Sequence, residues 1–260
     1  MKIIIDTDAQ TLATSEAGSE ERVGLYTKSA FETVSRQWLR IGWSLSYFNN
    51  FAWLGHAIRQ FPEDLVRVQE VIYRLKPDVI IETGVFQGGS LIFNASICEA
   101  IKKGRVVGVD INVPRELRER IAGHNLAQRI SLIEGDSRSP EVVAKVAAAI
   151  HSYDEVVMVI LDSAHTSVHV RRELEAYSHF VTPGSYIVVQ DASMEDLANV
   201  PGGSSEWRWD HPGTAANEFL ACHSEFIREQ PPWTTHWGEL TENVTCWPGG
   251  WLRKQEPNSK

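Results

Sequence analysis

The sequence predicts an α/β protein with a Rossmann-like, doubly wound, mostly parallel sheet, and three observations carry that prediction. Between Asp78 and Asp191, short β-branched apolar runs alternate with segments of helical length and composition, the pattern of βαβ units. The runs are continuously apolar rather than alternating, as expected of parallel strands covered on both faces. Each run also ends at or near polar and acidic residues, where an open parallel sheet binds its ligands.

The strands follow in order: Val79 to Glu82, Val106 to Asp110, Ile130 to Ile133, Val156 to Asp162 and Tyr186 to Asp191. Helices are expected between them at Gly89 to Lys103, Pro114 to Ala122, Pro140 to His151 and Ser167 to Phe180. Pro114 and Pro140 suit first turns, where a missing N–H costs nothing. Before the sheet, Ala30 to Ser46 and Glu63 to Leu75 have amphipathic helical patterns, joined by the aromatic segment Tyr47 to Leu54. After it the chain is rich in Gly, Pro and Trp, with a helix expected at Ala215 to His223 and an extended segment at Val244 to Trp247. The organisation predicted is a single domain over 1–260: an N-terminal helical cap (1–77), a cofactor-binding core (78–191) and an acceptor-side C-terminal extension (192–260).

Composition narrows the classes. A hydrophobic share of 43% and a charged share of 23% exclude disorder and disulfide scaffolds. A formal charge of -9 argues against nucleic acid or an anionic membrane as partner. Cys98, Cys222 and Cys246 are far apart, with no CxxC pair, which fits reduced thiols in a cytoplasm. No secretory signal or membrane span is apparent. All nine tryptophans lie outside the region between Trp53 and Trp207, and such Trp-bearing flanks favour a homo-oligomer.

The first strand leads into Glu82-Thr83-Gly84-Val85-Phe86-Gln87-Gly88-Gly89-Ser90. Glycines at 84, 88 and 89 permit a tight turn, but the G-x-G-x-x-G of a pyrophosphate cradle is absent. Glu-x-Gly-x-x-x-Gly-Gly-Ser instead suits a nucleoside without phosphates. Asp110 is placed to accept from two ribose hydroxyls, and Asp136 with Ser137 to bond an adenine amino group. Together these residues predict S-adenosylmethionine and a class I methyltransferase fold, with Glu82, Gly84, Gly88, Ser90, Asp110, Asp136, Ser137 and Asp162 as cofactor-side residues.

Asp162, Gln190 and Asp191, at the ends of the fourth and fifth strands, are hard oxygen donors suited to Mg²⁺ or another divalent cation. His165, three residues past Asp162, is placed to act as the catalytic base. The bland alternative is that the two carboxylates cap helices and His165 is a surface residue.

Asn50 to Gly55, Asp78 to Ser90, Val107 to Asp110, Glu134 to Ser137, Leu161 to Thr166 and Pro212 to Phe226, taken in order, resemble the cephalosporin hydroxylase / rhamnosyl O-methyltransferase family. The likeness runs from about Phe51 to Trp251 and is nearest to the sugar O-methyltransferases of natural-product pathways, TDP-rhamnose 3'-O-methyltransferases among them. The resemblance implies methyl transfer to a sugar or sugar-nucleotide hydroxyl, a metal at Asp162, Gln190 and Asp191, and His165 as base. Gln190 stands where the family often has Glu, so the site carries one less negative charge. A phenolic or other small-molecule acceptor, and a non-catalytic S-adenosylmethionine-binding subunit, remain open on the same residues. An iron oxygenase finds only the short pattern His223-Ser224-Glu225, outside the sheet. In the flanks, Tyr47, Phe48, Phe51 and Trp53 either close over the methionine moiety or form a packed seam. Trp207, Trp209 and His211 either face a sugar or make an oligomer contact.

Overall fold

A computed structural model describes residues 1–16, 18–235 and 237–257. Its centre is a seven-stranded sheet built from β6 (Val79–Thr83), β7 (Arg105–Asp110), β8 (Ile130–Glu134), β9 (Val157–Leu161) and β10 (Tyr186–Val189), extended by β11 (Phe226–Arg228) and β12 (Trp251–Lys254). In the order β11-β12-β10-β9-β6-β7-β8, β6 to β10 are mutually parallel, while β12 pairs antiparallel with β10 and β11 antiparallel with β12. Because β6 pairs with both β7 and β9, the winding reverses beside β6, the place where doubly wound sheets open a crevice for ligand.

Alternate strand residues face opposite layers. Val79 and Ile81 pack with Val107, Val159 and Ile187 beneath α5 (Pro140–Ala148), α6 (Ser167–Tyr177) and α8 (Pro212–Cys222). Ile80, Met158, Ile160 and Val188 pack on the other side against α2 (Pro62–Leu75) and α3 (Gly89–Ala100). Every residue of β6 and β9 is buried, which explains why those runs are apolar throughout. Burying each such Val or Ile contributes about 1.5–3 kcal/mol before chain entropy is charged against it. Helix α4 (Arg115–Ala122) completes this layer through Leu117 and Ile121. Pro140 does start its helix, with Ser139 as cap, whereas Pro114 falls one residue before α4.

The flanks depart from expectation in two places. The start of the chain, expected within a helical cap, carries an antiparallel meander of β1 (Lys2–Asp6), β2 (Thr11–Glu16) and β3 (Ser19–Gly24). The Ser, Thr and Glu content of β2 and β3 hid those strands, β1 is a short run of three Ile, and only Leu12 and Ala13 of the three strands are buried. Helix α1 (Lys28–Ser44) follows, capped by Thr27. The second correction concerns Val244 to Trp247, which is not a strand; the C-terminal strand is β12, a few residues on. Residues 245 and 246 are instead fastened to Asp64 near the start of α2. Its buried carboxylate accepts from the Thr245 hydroxyl and, at 2.9 Å, from the Cys246 N–H. Two short strands, β4 (Ala52–Trp53) and β5 (His56–Ala57), and helix α7 (Met194–Leu197) finish the flanks. No helix among the described residues is long and apolar enough to cross a membrane.

Candidate active site

The sheet ladder runs right up to the crevice. Gly84 N–H donates to Val109 O (2.8 Å), Asp162 N–H to Thr83 O (2.9 Å) and Gln190 N–H to Leu161 O (3.1 Å), so the first residues past β6, β9 and β10 are fixed by sheet pairing. Over them lies a cavity of about 660 Å³ whose wall includes Gly84 to Gln87, Ser90, Asp110, Asp162, His165 and Asp191. The flanks roof it with Trp43, Phe48, Arg59 and Gln60 from one side and Met194 and Trp207 from the other. Trp43 and Trp207 meet edge to face at 5.4 Å, closing the two flanks on each other.

The glycine loop owes its composition to the protein as much as to a ligand. Gly84 has φ +87°, and a Cβ there would lie 2.0 Å from Asp162 O, so glycine is what lets β6 and β9 diverge into the site. A Cβ at Gly89 would lie 2.0 Å from Ala57 O. Gly88, at φ +79°, precedes the first residue of α3. Asp110 Oδ2 accepts from Val85 N–H (2.8 Å) and Phe86 N–H (3.1 Å), bracing the loop while the residue still faces the cavity. Phe86 is pushed out at φ +46° and meets the Arg59 guanidinium, which lies 5.0 Å from its ring and 5.4 Å from that of Phe48.

Glu82 is buried below the loop, accepting from the Ser90 hydroxyl and from Asn94 Nδ2 (2.8 Å). Burial pushes its carboxyl up to about 7, the two hydrogen bonds opposing. It therefore positions Ser90, which does line the cavity, and is not itself on the wall. Asp136 and Ser137, expected at the adenine, are also away from the wall. The Asp136 carboxylate is taken by the Arg138 side chain (2.7 and 2.9 Å) and backbone N–H, which hold it well below the usual carboxylate range. Ser137 is buried, its carbonyl accepting from the Tyr177 hydroxyl at 2.8 Å.

Asp162, His165 and Asp191 come together, each offering one donor atom within 4.8 Å of the other two. His165 Nδ1 lies 3.4 Å from Asp191 Oδ2. Asp191 takes φ +57°, a strained angle tolerated by Asp that turns the chain off β10 and aims the carboxylate into the crevice. Burial, then Asp191 and Glu82, raise Asp162 well above its ordinary range, with Arg59 opposing. Among the described residues no Lys or Arg forms an ion pair with either carboxylate, and their hard oxygens fit a divalent cation. Gln190 is buried, and its Oε1 accepts from Gln60 Nε2 at 2.6 Å; the same amide lies 3.4 Å from Asp162 Oδ2. For Gln190 to coordinate, its oxygen must exchange Gln60 for the ion. Sequence reasoning missed Gln60 and Arg59, which lie in an irregular stretch before α2 with no motif to mark them.

His223, the start of the oxygenase pattern, stacks on Phe219 and its Nε2 lies 3.3 Å from Glu175, away from the crevice. Trp207 is on the cavity wall, Trp209 is exposed, and His211 is buried at the start of α8. Burial lowers the His211 imidazole below its ordinary value.

Known proteins share the family and the fold. The sequence profile of the Rhamnosyl O-methyltransferase/CmcI family matches residues 45–255. A rhamnosyl O-methyltransferase of Mycobacterium bovis (strain BCG / Pasteur 1173P2) is 26% identical over 166 residues, covering 60% of this chain and 64% of the relative. The chain thus spans less than two thirds of that relative's length. A rhamnosyl O-methyltransferase of Mycobacterium leprae (strain TN) is 27% identical over 161 residues, covering 60% of this chain and 68% of that one. Among solved structures, CmcI with Mg and SAM superposes with a TM-score of 0.52 at 16% identity, over 80% of this chain and 78% of the other, a likeness of fold.

Proposed function

The chain belongs to the rhamnosyl O-methyltransferase/CmcI family, and from that premise we propose that it transfers the methyl group of S-adenosylmethionine to a sugar hydroxyl, assisted by a divalent cation such as Mg²⁺. The observation that carries the reading is the meeting of Asp162, His165 and Asp191 beside the glycine loop in one cavity. Asp110 and the loop hold the nucleoside end of the cofactor, and the acidic wall suits its sulfonium. Asp162, Asp191 and Gln190 hold the cation, which when bound orients the acceptor oxygen and lowers its pKa. His165 has Nδ1 toward Asp191, leaving Nε2 to take the hydroxyl proton as the C–O bond forms and the C–S bond breaks. Residues 78–191 act as the cofactor core, and the flanks select the acceptor.

The acceptor is a deoxysugar of the rhamnose type, nucleotide-linked and methylated at its 3'-hydroxyl, in natural-product biosynthesis. The names of the mycobacterial relatives support the rhamnosyl part. Arg59, the one Lys or Arg on the cavity wall among the described residues, supports an anionic linker. A second reading follows from the same cluster: His165, with a donor atom within 4.8 Å of both carboxylates, serves as a further metal ligand beside Asp162 and Asp191.

The test is transfer of labelled methyl to TDP-rhamnose and to free rhamnose, with and without EDTA, and NMR of the product for position. Transfer that survives full chelation sinks the metal role. Calorimetric Mg²⁺ binding to His165→Ala separates the two readings: an unchanged Kd marks a base, a rise of about tenfold or more a ligand.

A further inference from the structure

Phe86 occupies a backbone position suited to glycine. Its φ is +46°, a region that bulky residues rarely enter, and the same loop uses glycine at its other left-handed positions, Gly84 and Gly88. The ring does not fill the core either, since it is 56% exposed on the wall of the cavity. A residue both strained and exposed contributes little to stability, so its use lies in what the ring meets. That group is Arg59. The guanidinium carbon lies 5.0 Å from the Phe86 ring centre and 5.4 Å from that of Phe48, within reach of cation–π attraction to both. Arg59 Nε donates to Asn49 Oδ1 at 2.7 Å. Among the described residues its two terminal nitrogens form no hydrogen bond or ion pair, so a restrained guanidinium keeps both ends free at a cavity wall.

We infer that Phe86 is a positioning residue for the acceptor: with Phe48 and Asn49 it holds Arg59 so that the terminal nitrogens bind a diphosphate of the acceptor. The inference rests on the nucleotide-linked acceptor proposed above, and adds which residue fixes the phosphate-binding group. A planar guanidinium offers two parallel N–H bonds to phosphate oxygens, but on a long stem it must first be brought to one orientation. Two rings and an amide acceptor supply that restraint. The competing anion is the carboxylate of the cofactor's methionine moiety. Two observations favour the diphosphate. Arg59 comes from the flank that roofs the cavity, not from the strand ends that seat the cofactor. It also stands close enough to the Asp162 carboxyl to oppose its rise, which places it beside the cluster where the acceptor is oriented. Phe86 itself belongs to the cofactor loop, its N–H donating to Asp110 at 3.1 Å, so one residue joins the two ligand seats.

The experiment is calorimetric binding of TDP, and separately of S-adenosylhomocysteine, to the full chain and to Arg59→Ala, Phe86→Leu, Phe86→Tyr and Phe86→Gly, with urea unfolding beside it. Leu keeps apolar bulk without a π face, Tyr keeps the face, and Gly removes the ring while relieving the backbone. Arg59→Ala is expected to raise the TDP Kd at least ~10-fold, and Phe86→Leu and Phe86→Gly about threefold to fivefold, the reach of one exposed cation–π contact. Phe86→Tyr should stay within about twofold, and S-adenosylhomocysteine within about threefold throughout. Phe86→Gly should unfold at the wild-type urea concentration or above it, so that binding and stability move apart. A wild type that does not bind TDP overturns the nucleotide-linked acceptor and this inference together. TDP binding weakened by Arg59→Ala but untouched by Phe86→Leu and Phe86→Gly overturns this inference alone. So does Phe86→Gly unfolding at a clearly lower urea concentration, which would make Phe86 a structural residue. Arg59→Ala that weakens S-adenosylhomocysteine and not TDP gives the guanidinium to the cofactor carboxylate, and overturns it as well.

Discussion

Glu82→Gln separates a buried support from a ligand contact. The Glu82 carboxyl rises from 4.5 to about 7 on folding, because burial outweighs its bonds from Ser90 and Asn94. The unfolded chain therefore releases this proton first, so stability is full below pH 4.5 and falls as pH rises towards 7. At about 1.4 kcal/mol per pH interval, the loss approaches ~3 kcal/mol by pH 8. Gln keeps the shape and removes the ionisation, while its amide gives up one acceptor, a cost of about 1 kcal/mol. The variant should match or slightly trail the wild type at pH 5 and exceed it by roughly 2 kcal/mol at pH 8. Urea unfolding at the two pH values measures this, and S-adenosylmethionine Kd, read in parallel, should stay within about threefold. A stability difference that is the same at both pH values refutes the linkage. A Kd raised tenfold or more with no pH-dependent stability change would place Glu82 at the ligand.

Three further outcomes are expected. Gly84→Ala forces a Cβ to within 2.0 Å of Asp162 O at φ +87° and should cost more than about 4 kcal/mol, seen as loss of soluble protein; a variant within about 1 kcal/mol in urea contradicts the packing. Asp64→Ala strands the Thr245 hydroxyl and the Cys246 N–H, costing about 2–4 kcal/mol at acid pH. Because burial lifts Asp64 from 3.8 to about 7, that deficit should shrink as pH rises through this range, and urea melts showing a growing deficit would contradict it. Gln60→Leu removes the bond competing for Gln190 Oε1 and should tighten Mn²⁺ binding by up to ~10-fold in calorimetry; unchanged or weaker binding removes Gln190 from the ligand set.

The parallel strands were legible because burial on both faces leaves one solution, a continuous apolar run, and β6 and β9 are buried at every position. Asp162 and Asp191 were legible for a related reason: a carboxylate directly after such a run must sit at a strand end. What the sequence concealed depends on contacts between distant segments. Asp136 was placed correctly past β8, but Arg138, two residues on, folds back and occupies it. Gln60 reaches Gln190 across 130 positions of sequence, a contact no local pattern encodes. The meander was hidden because its faces are mostly exposed, so it lacks the alternation that marks a half-buried strand.

The division of labour between core and flanks follows from which residues could be altered without rebuilding the sheet. Asp110, Asp162 and Asp191 are set by strand ends whose hydrogen bonds continue the ladder, so their spacing is a property of the fold. Arg59 faces the same cavity from a loop, Phe48 and Trp207 from short 3-10 turns and Trp43 from the end of α1, all outside the seven-stranded sheet. The flanks are nevertheless not free to drift. Asp64 ties the C-terminal segment to α2 from a buried position, and Trp43 meets Trp207 across the roof. On the proposed function, an acidic floor fixed by the sheet would hold the methyl donor and the metal, and the anchored aromatic roof would meet the acceptor. That separation explains why the cofactor side was readable from strand ends, and why the acceptor must be identified from the roof.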